Sequence, residues 1–399
     1  MDAAVPLQNR VQATALLGAL RDATDVPLLA ALLGERAGSD LAANPLRSAA
    51  ADALGKIGGE RAVTALLDAM AGSKTNRAIL SSLVRALRNA GDSRAVPALV
   101  SRLGSADRGL IVEILSALRA VDARGAAPHV IPLLQHPSST IRTYAASALE
   151  DTVDDEVVRA MRAATRDPAA SVVTRALFYL AKHDAASLPL FERFAGWPQQ
   201  DVRAAANAGL RRFGTAATVK AIRPLLESRN LSVRSYTASA LEALTFRSWQ
   251  PPSGADRFNT SAFDEWLARN GSRSRSEWAI EALERPVRKR PGGAPNEKVQ
   301  ALAYLDAQPG MARATFERML QDRDPAVRQR ASQAIARFDR LRAAQLLIRE
   351  FDSRFLEACV GANFRLGQLT RRELKFDFED PAARAEAKAR WIEILTSFK

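Results

Sequence analysis

The stretch Ile141-Arg-Thr-Tyr-Ala-Ala-Ser-Ala-Leu149 contains the pattern that decides the fold. It has the form Val/Ile-Arg-x-x-Ala-x-x-Ala-Leu, and three further clear copies begin at Val202, Val233 and Val327. Weaker copies begin at six other positions, Leu46, Ile79, Leu110, Val172, Val299 and Leu356. Successive copies from Leu46 to Val233 start at nearly equal intervals. This regular spacing predicts a structural repeat of about 31 residues.

Each copy of the pattern predicts one amphipathic helix. The apolar residues at positions 1, 5, 8 and 9 fall on one helical face, and the small residues among them let a neighbouring helix approach closely. A second amphipathic segment lies between copies, for example residues 62–70 (AVTALLDAM). Short polar turns such as residues 91–94 (GDSR) separate the two segments. Each repeat is therefore predicted to be a helical hairpin, and the fold class to be all-α.

The pattern and its period resemble the HEAT repeat family, in the short bacterial HEAT-like form that is also found in phycobilin lyases. The resemblance covers most of residues 1–246 and 295–371, and it implies an α-α superhelix, or solenoid. In that family the second helix of each hairpin lines the concave face, and an Asp/Arg ladder often ties adjacent repeats. The matching arginine position is held by Arg142, Arg203, Arg234 and Arg328. The acidic partner is recognisable at Asp201 and Asp324.

The period breaks in the middle of the chain, where the next copy after Val233 begins only at Val299. A tryptophan follows a threonine at the same distance in two places, Thr245 with Trp266 and Thr370 with Trp391. Each tryptophan lies in an amphipathic segment. We interpret the two pairs as copies of one capping module, because a solenoid needs caps to cover its exposed apolar ends.

The predicted organisation has four parts. They are an N-terminal HEAT-like array (1–246), a cap-like insert with a basic linker (247–294), C-terminal HEAT-like repeats (295–371) and a C-terminal cap helix (372–399). The basic residues of the linker are Arg285, Arg288, Lys289 and Arg290. Proline and glycine around them disfavour a helix. The linker is either a hinge or a surface loop of one continuous superhelix.

The chain is strongly basic and has the composition of a folded protein. Its 399 residues are 47% hydrophobic, and 57 Lys and Arg against 44 Asp and Glu give a net charge of +13. Such an excess attracts nucleic acid, anionic lipid or an acidic protein, although a GC-rich coding bias also raises arginine content. No apolar run reaches the roughly 18 residues that a membrane span needs. The single cysteine, Cys359, precludes an intrachain disulfide.

The amino terminus lacks the basic and apolar segments of a signal peptide, which predicts a cytoplasmic protein. A mature periplasmic or secreted form would look the same after removal of its signal.

No motif for catalysis, nucleotides or metals stands out. Gly55-Lys-Ile-Gly-Gly has the wrong spacing for a phosphate loop, and the three histidines lack nearby ligands at metal-site spacing. Serine nucleophile elbows and kinase motifs are missing from the sequence. The prediction is a non-enzymatic protein without catalytic residues, metal or cofactor. The resemblance leaves two activities open, those of HEAT-like alkylpurine glycosylases and of bilin lyases.

Exposed positions of the pattern helices are the predicted binding groove, because tyrosine and arginine are enriched in binding hot spots. The predicted partner-binding residues are Tyr144, Arg175, Arg203, Arg234, Tyr236, Arg328 and Arg330. Our first hypothesis is a protein-interaction scaffold whose groove binds a partner protein, preferably an acidic one. The second is a nucleic-acid binder that contacts phosphates through the arginine rows and the basic linker.

Overall fold

A computed structural model describes residues 5–34, 43–72, 77–104, 106–249, 258–285, 297–308, 313–320, 322, 324–337, 339–352 and 356–396. The chain divides into two compact units, Met1–Phe213 and Gly214–Lys399. Within the described ranges the regular structure is entirely helical, and none of these helices is long and apolar enough to cross a bilayer. The predicted class, an all-α HEAT-repeat solenoid, is confirmed.

The first unit contains twelve described α-helices, joined in part by single turns of 3₁₀ helix at Ala23–Asp25, Ile131–Gln135 and Ala185–Ser187. The α-helices are α1 (Leu7–Leu20), α2 (Val26–Gly34), α3 (Ala43–Ile57), α4 (Gly59–Gly72), α5 (Arg77–Ala90), α6 (Ala95–Leu103), α7 (Arg108–Val130), α8 (Ser139–Ala148), α9 (Asp155–Ala164), α10 (Ala170–His183), α11 (Leu188–Phe194) and α12 (Gln200–Phe213).

The helices that carry the nine-residue pattern, here termed the motif helices, form one layer of this unit. In that layer α3 packs against α5, α5 against α7, α7 against α8, α8 against α10, and α10 against α12. The intervening helices form a second layer, in which α2 packs against α4 and α4 against α6. In α8 the predicted core positions Ile141, Ala145, Ala148 and Leu149 are all buried. The pattern therefore marks the face that each motif helix buries.

Helix α7 joins a motif helix to the first helix of the next repeat. Asp122, with φ −163° and ψ 89°, interrupts the helical backbone. Its Oδ1 accepts a hydrogen bond of 2.9 Å from the backbone N–H of Gly125, which caps the helix that restarts there. The boundary between two repeats is here a kink at one residue and not a polar loop.

Two glycines allow helices of this unit to approach each other closely. An added Cβ at Gly55 of α3 would lie 2.6 Å from both the Cα and the carbonyl oxygen of Ala86 in α5. At Gly18 of α1 it would lie 2.6 Å from the Cα of Ala53 in α3. Distances this short are not reached by real Cβ atoms, so the helix backbones are in contact at these points.

The second unit contains ten described α-helices and two turns of 3₁₀ helix, Arg223–Glu227 and Arg349–Asp352. The α-helices are α13 (Ala216–Ile222), α14 (Leu231–Thr245), α15 (Thr260–Asn270), α16 (Arg275–Glu284), α17 (Glu297–Asp306), α18 (Arg313–Met319), α19 (Pro325–Ile335), α20 (Arg340–Ile348), α21 (Leu356–Thr370) and α22 (Pro381–Thr396).

The segment predicted as a cap-like insert contains a further repeat that the pattern search missed. Helix α16 packs against α14 and also against α17, so it takes the place of a motif helix between them. Ala279, Ala282 and Leu283 are buried and correspond to positions 5, 8 and 9 of the pattern. The Ala-x-x-Ala-Leu spacing was the signal that could have revealed this copy.

Position 1 of this hidden copy is Arg275, where other copies have an aliphatic residue. The buried Arg275 donates to the carbonyl oxygen of Gly214 at 3.0 Å, and its guanidinium carbon lies 4.3 Å from the ring centroid of Tyr304. The predicted array end at residue 246 thus lies inside the second unit, whose helices continue the stack through residues 260–284.

The weak copy assigned to Leu356 is wrong in register. Helix α21 buries Cys359, Ala362 and Leu366, whereas Leu356 and Val360 are exposed. The nine-residue pattern had predicted that Leu356 and Val360 lie in the core. Alanine and cysteine satisfied the close helix packing better than the larger aliphatic side chains did.

The two threonine and tryptophan pairs are held in different ways. Trp391 of α22 is fully buried in the core with Cys359 and Leu366, and its Nε1 donates to Asn363 Oδ1 at 2.8 Å. This helix covers α20 and α21, as expected of a cap. The Thr370 hydroxyl donates to the carbonyl oxygen of Leu366 at 2.7 Å and does not meet the tryptophan.

In the mid-chain pair, Thr245 Oγ1 accepts a hydrogen bond of 3.0 Å from Nε1 of Trp249. Trp266 packs between Trp249 and Trp278, with tilted rings whose centroids are 5.3 and 5.0 Å away. The equal spacing of the two pairs along the sequence therefore does not correspond to one repeated contact.

We predict that Gly55→Ala lowers the free energy of unfolding by about 1 to 3 kcal/mol, because the added methyl group forces α3 and α5 apart. The matched control is Gly72→Ala in α4, where an added Cβ meets nothing within 4 Å. This change should be neutral or stabilise by up to about 1 kcal/mol. Urea unfolding followed by circular dichroism measures both. Equal stability of the two variants would contradict the close approach.

Candidate partner-binding surface

The arginines at position 2 of the pattern lie in the first turn of their helices, and their side chains reach back to the turn that precedes the helix. Arg142, Arg203, Arg234 and Arg328 each donate from Nη1 to the carbonyl oxygen six residues earlier, at distances between 2.6 and 2.9 Å. These carbonyls end the preceding helix or turn and have no partner within it. The side chains therefore fasten the turn, and Arg203 is almost completely buried in doing so. Arg203, Arg234 and Arg328, predicted as groove residues, have this structural contact instead.

Two of these arginines also form the inter-repeat ladder that the resemblance implied, but with other carboxylates than predicted. Nε and Nη2 of Arg142 bind Asp167 at 2.6 and 2.8 Å. Nε and Nη2 of Arg328 bind Glu350, each at 2.7 Å. The predicted acidic partner Asp324 instead caps α19 by accepting from the N–H of Ala326. Each ladder carboxylate comes well after its arginine in the sequence and belongs to the next repeat.

The charges of these pairs are mutually stabilised. Burial favours the neutral form of Asp167, but hydrogen bonds from Arg142 and from the N–H of Ala169 hold the pKa of Asp167 below its usual value. The hydrogen bond to Glu350 raises the pKa of Arg328. Both shifts favour the charged forms of Asp167 and Arg328.

The other predicted groove and linker residues of the second unit also have contacts within the chain or are partly covered. Arg330 binds Asp306 at 2.9 Å, and Tyr236 is half-buried on α14. Arg285 donates to the carbonyl oxygen of Phe246 at 2.7 Å and lies 3.6 Å from Glu297. The remaining linker residues Arg288, Lys289 and Arg290 lie outside the described residues.

Tyr144 and Arg175 remain as open groove residues in the first unit, on the neighbouring motif helices α8 and α10. The hydroxyls of Thr143 and Ser171 lie 2.9 Å apart and join these helices near their N-terminal ends. Tyr144 is 42% exposed. Arg175 is exposed and forms no ion pair with any described residue.

Sequence reasoning missed a third exposed side chain of this surface, Phe178. It lies one turn after Arg175 and is 42% exposed. The same pattern position is Ser147 in α8 and Ala208 in α12, so the ring has small counterparts on both neighbouring helices. A large aromatic residue at an outward position of the pattern was the available signal. Tyr144, Arg175 and Phe178 together are termed the α8–α10 surface.

Among the described residues, the histidines and carboxylates form no second candidate centre. His183 Nε2 lies 3.2 Å from the carbonyl oxygen of Glu150, and His136 Nδ1 accepts from the N–H of Ser138 at 3.0 Å. In the part of the chain that the structure describes, no group of three or more His, Cys, Asp or Glu residues is arranged to hold a metal ion. Burial raises the pKa of the Cys359 thiol, which keeps it protonated.

Comparison with known proteins identifies the repeat type. The family model of the PBS lyase HEAT-like repeat matches residues 46–72, which form most of α3 and α4. The chain is a HEAT-like repeat protein.

Curated relatives of this HEAT-like protein include two bilin-related proteins. Bilin biosynthesis protein PecE of Mastigocladus laminosus is 34% identical over 122 residues, 31% of this chain and 45% of that protein. Phycocyanobilin lyase subunit alpha of a Nostoc species is 31% identical over 142 residues, 33% of this chain and 51% of that protein. The chain thus spans about half the length of the curated relatives it matches.

The solved structures that match this chain include the complex of CpcE and CpcF of phycocyanin lyase from Nostoc. That match has 23% identity and a TM-score of 0.31, and covers 67% of this chain and 90% of the other. The karyopherin Kap121p bound to the C-terminus of the phosphatase Cdc14p has 11% identity and a TM-score of 0.45, with coverages of 98% and 48%. These identities lie below the level at which function transfers.

The curated relatives correct the expectation that this HEAT-like protein is not an enzyme. One of them is named as a lyase subunit and the other as a bilin biosynthesis protein. The expectation rested on the absence of familiar catalytic motifs from the sequence. That absence is not a sound argument for a chain whose curated relatives include a protein named as a lyase subunit.

We predict that Arg328→Ala lowers the free energy of unfolding by about 3 kcal/mol, because it leaves the buried Glu350 carboxylate without its cation. The control is Arg85→Ala, which breaks the bidentate but half-exposed pair with Asp52. That variant should lose about 1 kcal/mol or less. Thermal unfolding of both variants measures the difference. Similar losses would contradict the structural role assigned to Arg328.

Proposed function

We propose that this HEAT-like protein binds a partner protein through the α8–α10 surface. The observation that carries the proposal is the presence of two exposed aromatic side chains beside an arginine without an intramolecular ion pair among the described residues. The hydrophobic core needs none of the three. Aromatic residues and arginine are the side chains that most often dominate binding energy in protein interfaces.

The position of these residues on packed helices favours binding. Tyr144 and Phe178 project from α8 and α10, whose other faces are fixed in the core. A rigid helix loses little conformational entropy on association, so more of the contact energy is retained. Burying one exposed aromatic side chain contributes roughly 2 kcal/mol.

The charge of the surface indicates the chemistry of the partner. Lys182 on the same face of α10 is paired with Asp151 at 3.2 Å, whereas Arg175 is not paired with a described residue. A partner carboxylate next to apolar groups would satisfy Arg175 and cover the two rings. The net charge of +13 would also increase the rate of association with an acidic protein.

The nucleic-acid alternative has less support from the geometry. It required rows of arginine side chains facing phosphates, but the arginines at position 2 bind carbonyl oxygens and carboxylates of this chain. Of the two first-unit arginines predicted to bind a partner, Arg203 is buried and Arg175 is exposed. Duplex binding with a logarithmic salt slope near −0.9 per contacted phosphate would favour that alternative over the proposed one.

The lyase names of the curated relatives favour a second candidate function, the handling of a linear tetrapyrrole. Such a molecule has carboxylate side chains on a conjugated ring system. Arg175 could bind a carboxylate, and the aromatic rings of Tyr144 and Phe178 could stack on the pyrrole rings.

We predict that Arg175→Glu with Phe178→Ser reduces capture of specific partner proteins from native lysate at least tenfold, a loss of about 1.4 kcal/mol or more in binding free energy. The matched control is Arg159→Glu with Val153→Ser, which changes an exposed arginine and an exposed aliphatic residue elsewhere in the first unit. Quantitative mass spectrometry compares the captured proteins. Retention of every partner by the first variant would rule out the α8–α10 surface.

For the second candidate, biliverdin is the probe. We predict that the wild-type chain retains the pigment through a desalting column and shifts its absorption band, and that the Arg175 and Phe178 double variant loses at least nine-tenths of it. The Arg159 and Val153 control should retain it. If the wild-type chain retains no pigment, tetrapyrrole handling at this surface is excluded while partner binding is still tested separately.

A further inference from the structure

Helix α21 presents an apolar row that no described residue covers. Leu356, Val360 and Phe364 are 37%, 47% and 59% exposed. Their spacing of four residues aligns them on one face over roughly 12 Å of helix. The opposite face of α21 packs in the core through Cys359 and Leu366, so the row is held rigidly. These three residues are termed the α21 row.

Two arginines lie beside this row. The guanidinium carbon of Arg365 is 5.9 Å from the centroid of the Phe364 ring. Arg330, on the adjacent helix α19, lies close enough that its positive charge, after burial, lowers the pKa of Arg365. Arg365 donates weakly to Gln368 at 3.4 Å and forms no ion pair with any described residue. Arg330 and Arg365 are termed the arginine pair.

The arginine pair contains more positive charge than its surroundings neutralise. Asp306 binds Arg330, but the second cation has only an amide oxygen among the described residues. Arg330 shares the Asp306 carboxylate with Arg337, so the arginine pair creates a local positive potential. A negative group from another molecule would relieve it, and burial of the α21 row at the same time would strengthen the attraction by excluding water.

We propose that the α21 row and the arginine pair together bind an acidic amphipathic helix of a partner protein. A row of apolar residues four apart matches the apolar stripe of a second helix packed along it. Glutamate or aspartate at the edge of that stripe would reach Arg365. The specificity for acidic partners follows from the excess positive charge, and the affinity follows from the three apolar side chains.

Other occupants fit these observations less well. A second copy of this chain would bring its own arginine pair against the first, and like charges at an interface disfavour association. A lipid surface is usually met by a helix that is free to embed its apolar face, whereas α21 is fixed between α19, α20 and α22. Both are outcomes that the test distinguishes.

The α21 row and the arginine pair belong to the second unit and share no residue with the α8–α10 surface. The Arg175 and Phe178 variant should therefore bind the acidic helix normally. Loss of partner binding at one surface with retention at the other separates the two proposals.

The probe is a fluorescently labelled 18-residue synthetic helix with a leucine stripe and glutamates at both edges, titrated with the full chain by fluorescence anisotropy. Phe364→Ser with Arg365→Glu should weaken binding at least tenfold. The matched control is Leu341→Ser with Arg342→Glu on α20, which also changes an exposed leucine and the exposed arginine next to it. This control should bind as the wild type does, and circular dichroism checks that both variants are folded.

Charge specificity is tested with the same peptide carrying lysine in place of glutamate. The wild-type chain should prefer the glutamate peptide at least tenfold, and Arg365→Glu alone should reduce or reverse the preference. Equal binding of the two peptides, or unchanged binding by the Phe364 and Arg365 variant, overturns the proposal. Binding to vesicles of phosphatidylserine and phosphatidylcholine without peptide binding, or row-dependent dimerisation in sedimentation equilibrium, would also overturn it.

Discussion

Close backbone contact between successive motif helices is the constraint on which the rest of the structure depends. At Gly55 even a methyl group would overlap the backbone of α5, and alanine occupies most of the other contact positions, as in α8 and α16. Small side chains allow many helices to pack side by side although each repeat has only about 31 residues. They also mean that large side chains at outward positions are not required for packing. Exposed residues such as Phe178 and Phe364 therefore need a different explanation.

The arginine at position 2 shows how a charged residue can be part of this packing. Its guanidinium binds carbonyl oxygens of the turn before its own helix, and in two repeats it also binds a carboxylate of the next one. Each such arginine joins a turn, a helix and a neighbouring repeat. Much of the positive charge of the chain is thus used internally. The net charge alone therefore overestimates how much positive charge is available to bind a ligand.

The fold class, the repeat length and the buried face of the motif helices could be predicted from the sequence, because these features depend on residue size at fixed spacing. The prediction failed where an unexpected residue occupied one position of the pattern. Arg275 hid a repeat, since its burial requires the Gly214 carbonyl and the Tyr304 ring, which both lie far from it along the chain. Asp122 hid a helix boundary for a different reason, because a single non-helical residue takes the place of a polar loop there. The ladder carboxylates could not be assigned from local pattern, because they lie in the next repeat and at different distances from their arginines.

For the candidate site, sequence reasoning found Tyr144 and Arg175 but could not separate them from arginines that the fold uses. That distinction is a matter of hydrogen-bond partners. An arginine with carbonyl and carboxylate partners has already lost its hydration and gained compensation within the chain, so a ligand would have to break these contacts to bind it. Arg175 and Arg365 have no carboxylate partner among the described residues, and each lies next to an exposed phenylalanine. A ligand carboxylate can pair with them without breaking an ion pair of the folded chain, while its apolar neighbours cover the ring. An exposed aromatic ring beside such a cation is what distinguishes Arg175 and Arg365 as candidates for recognition.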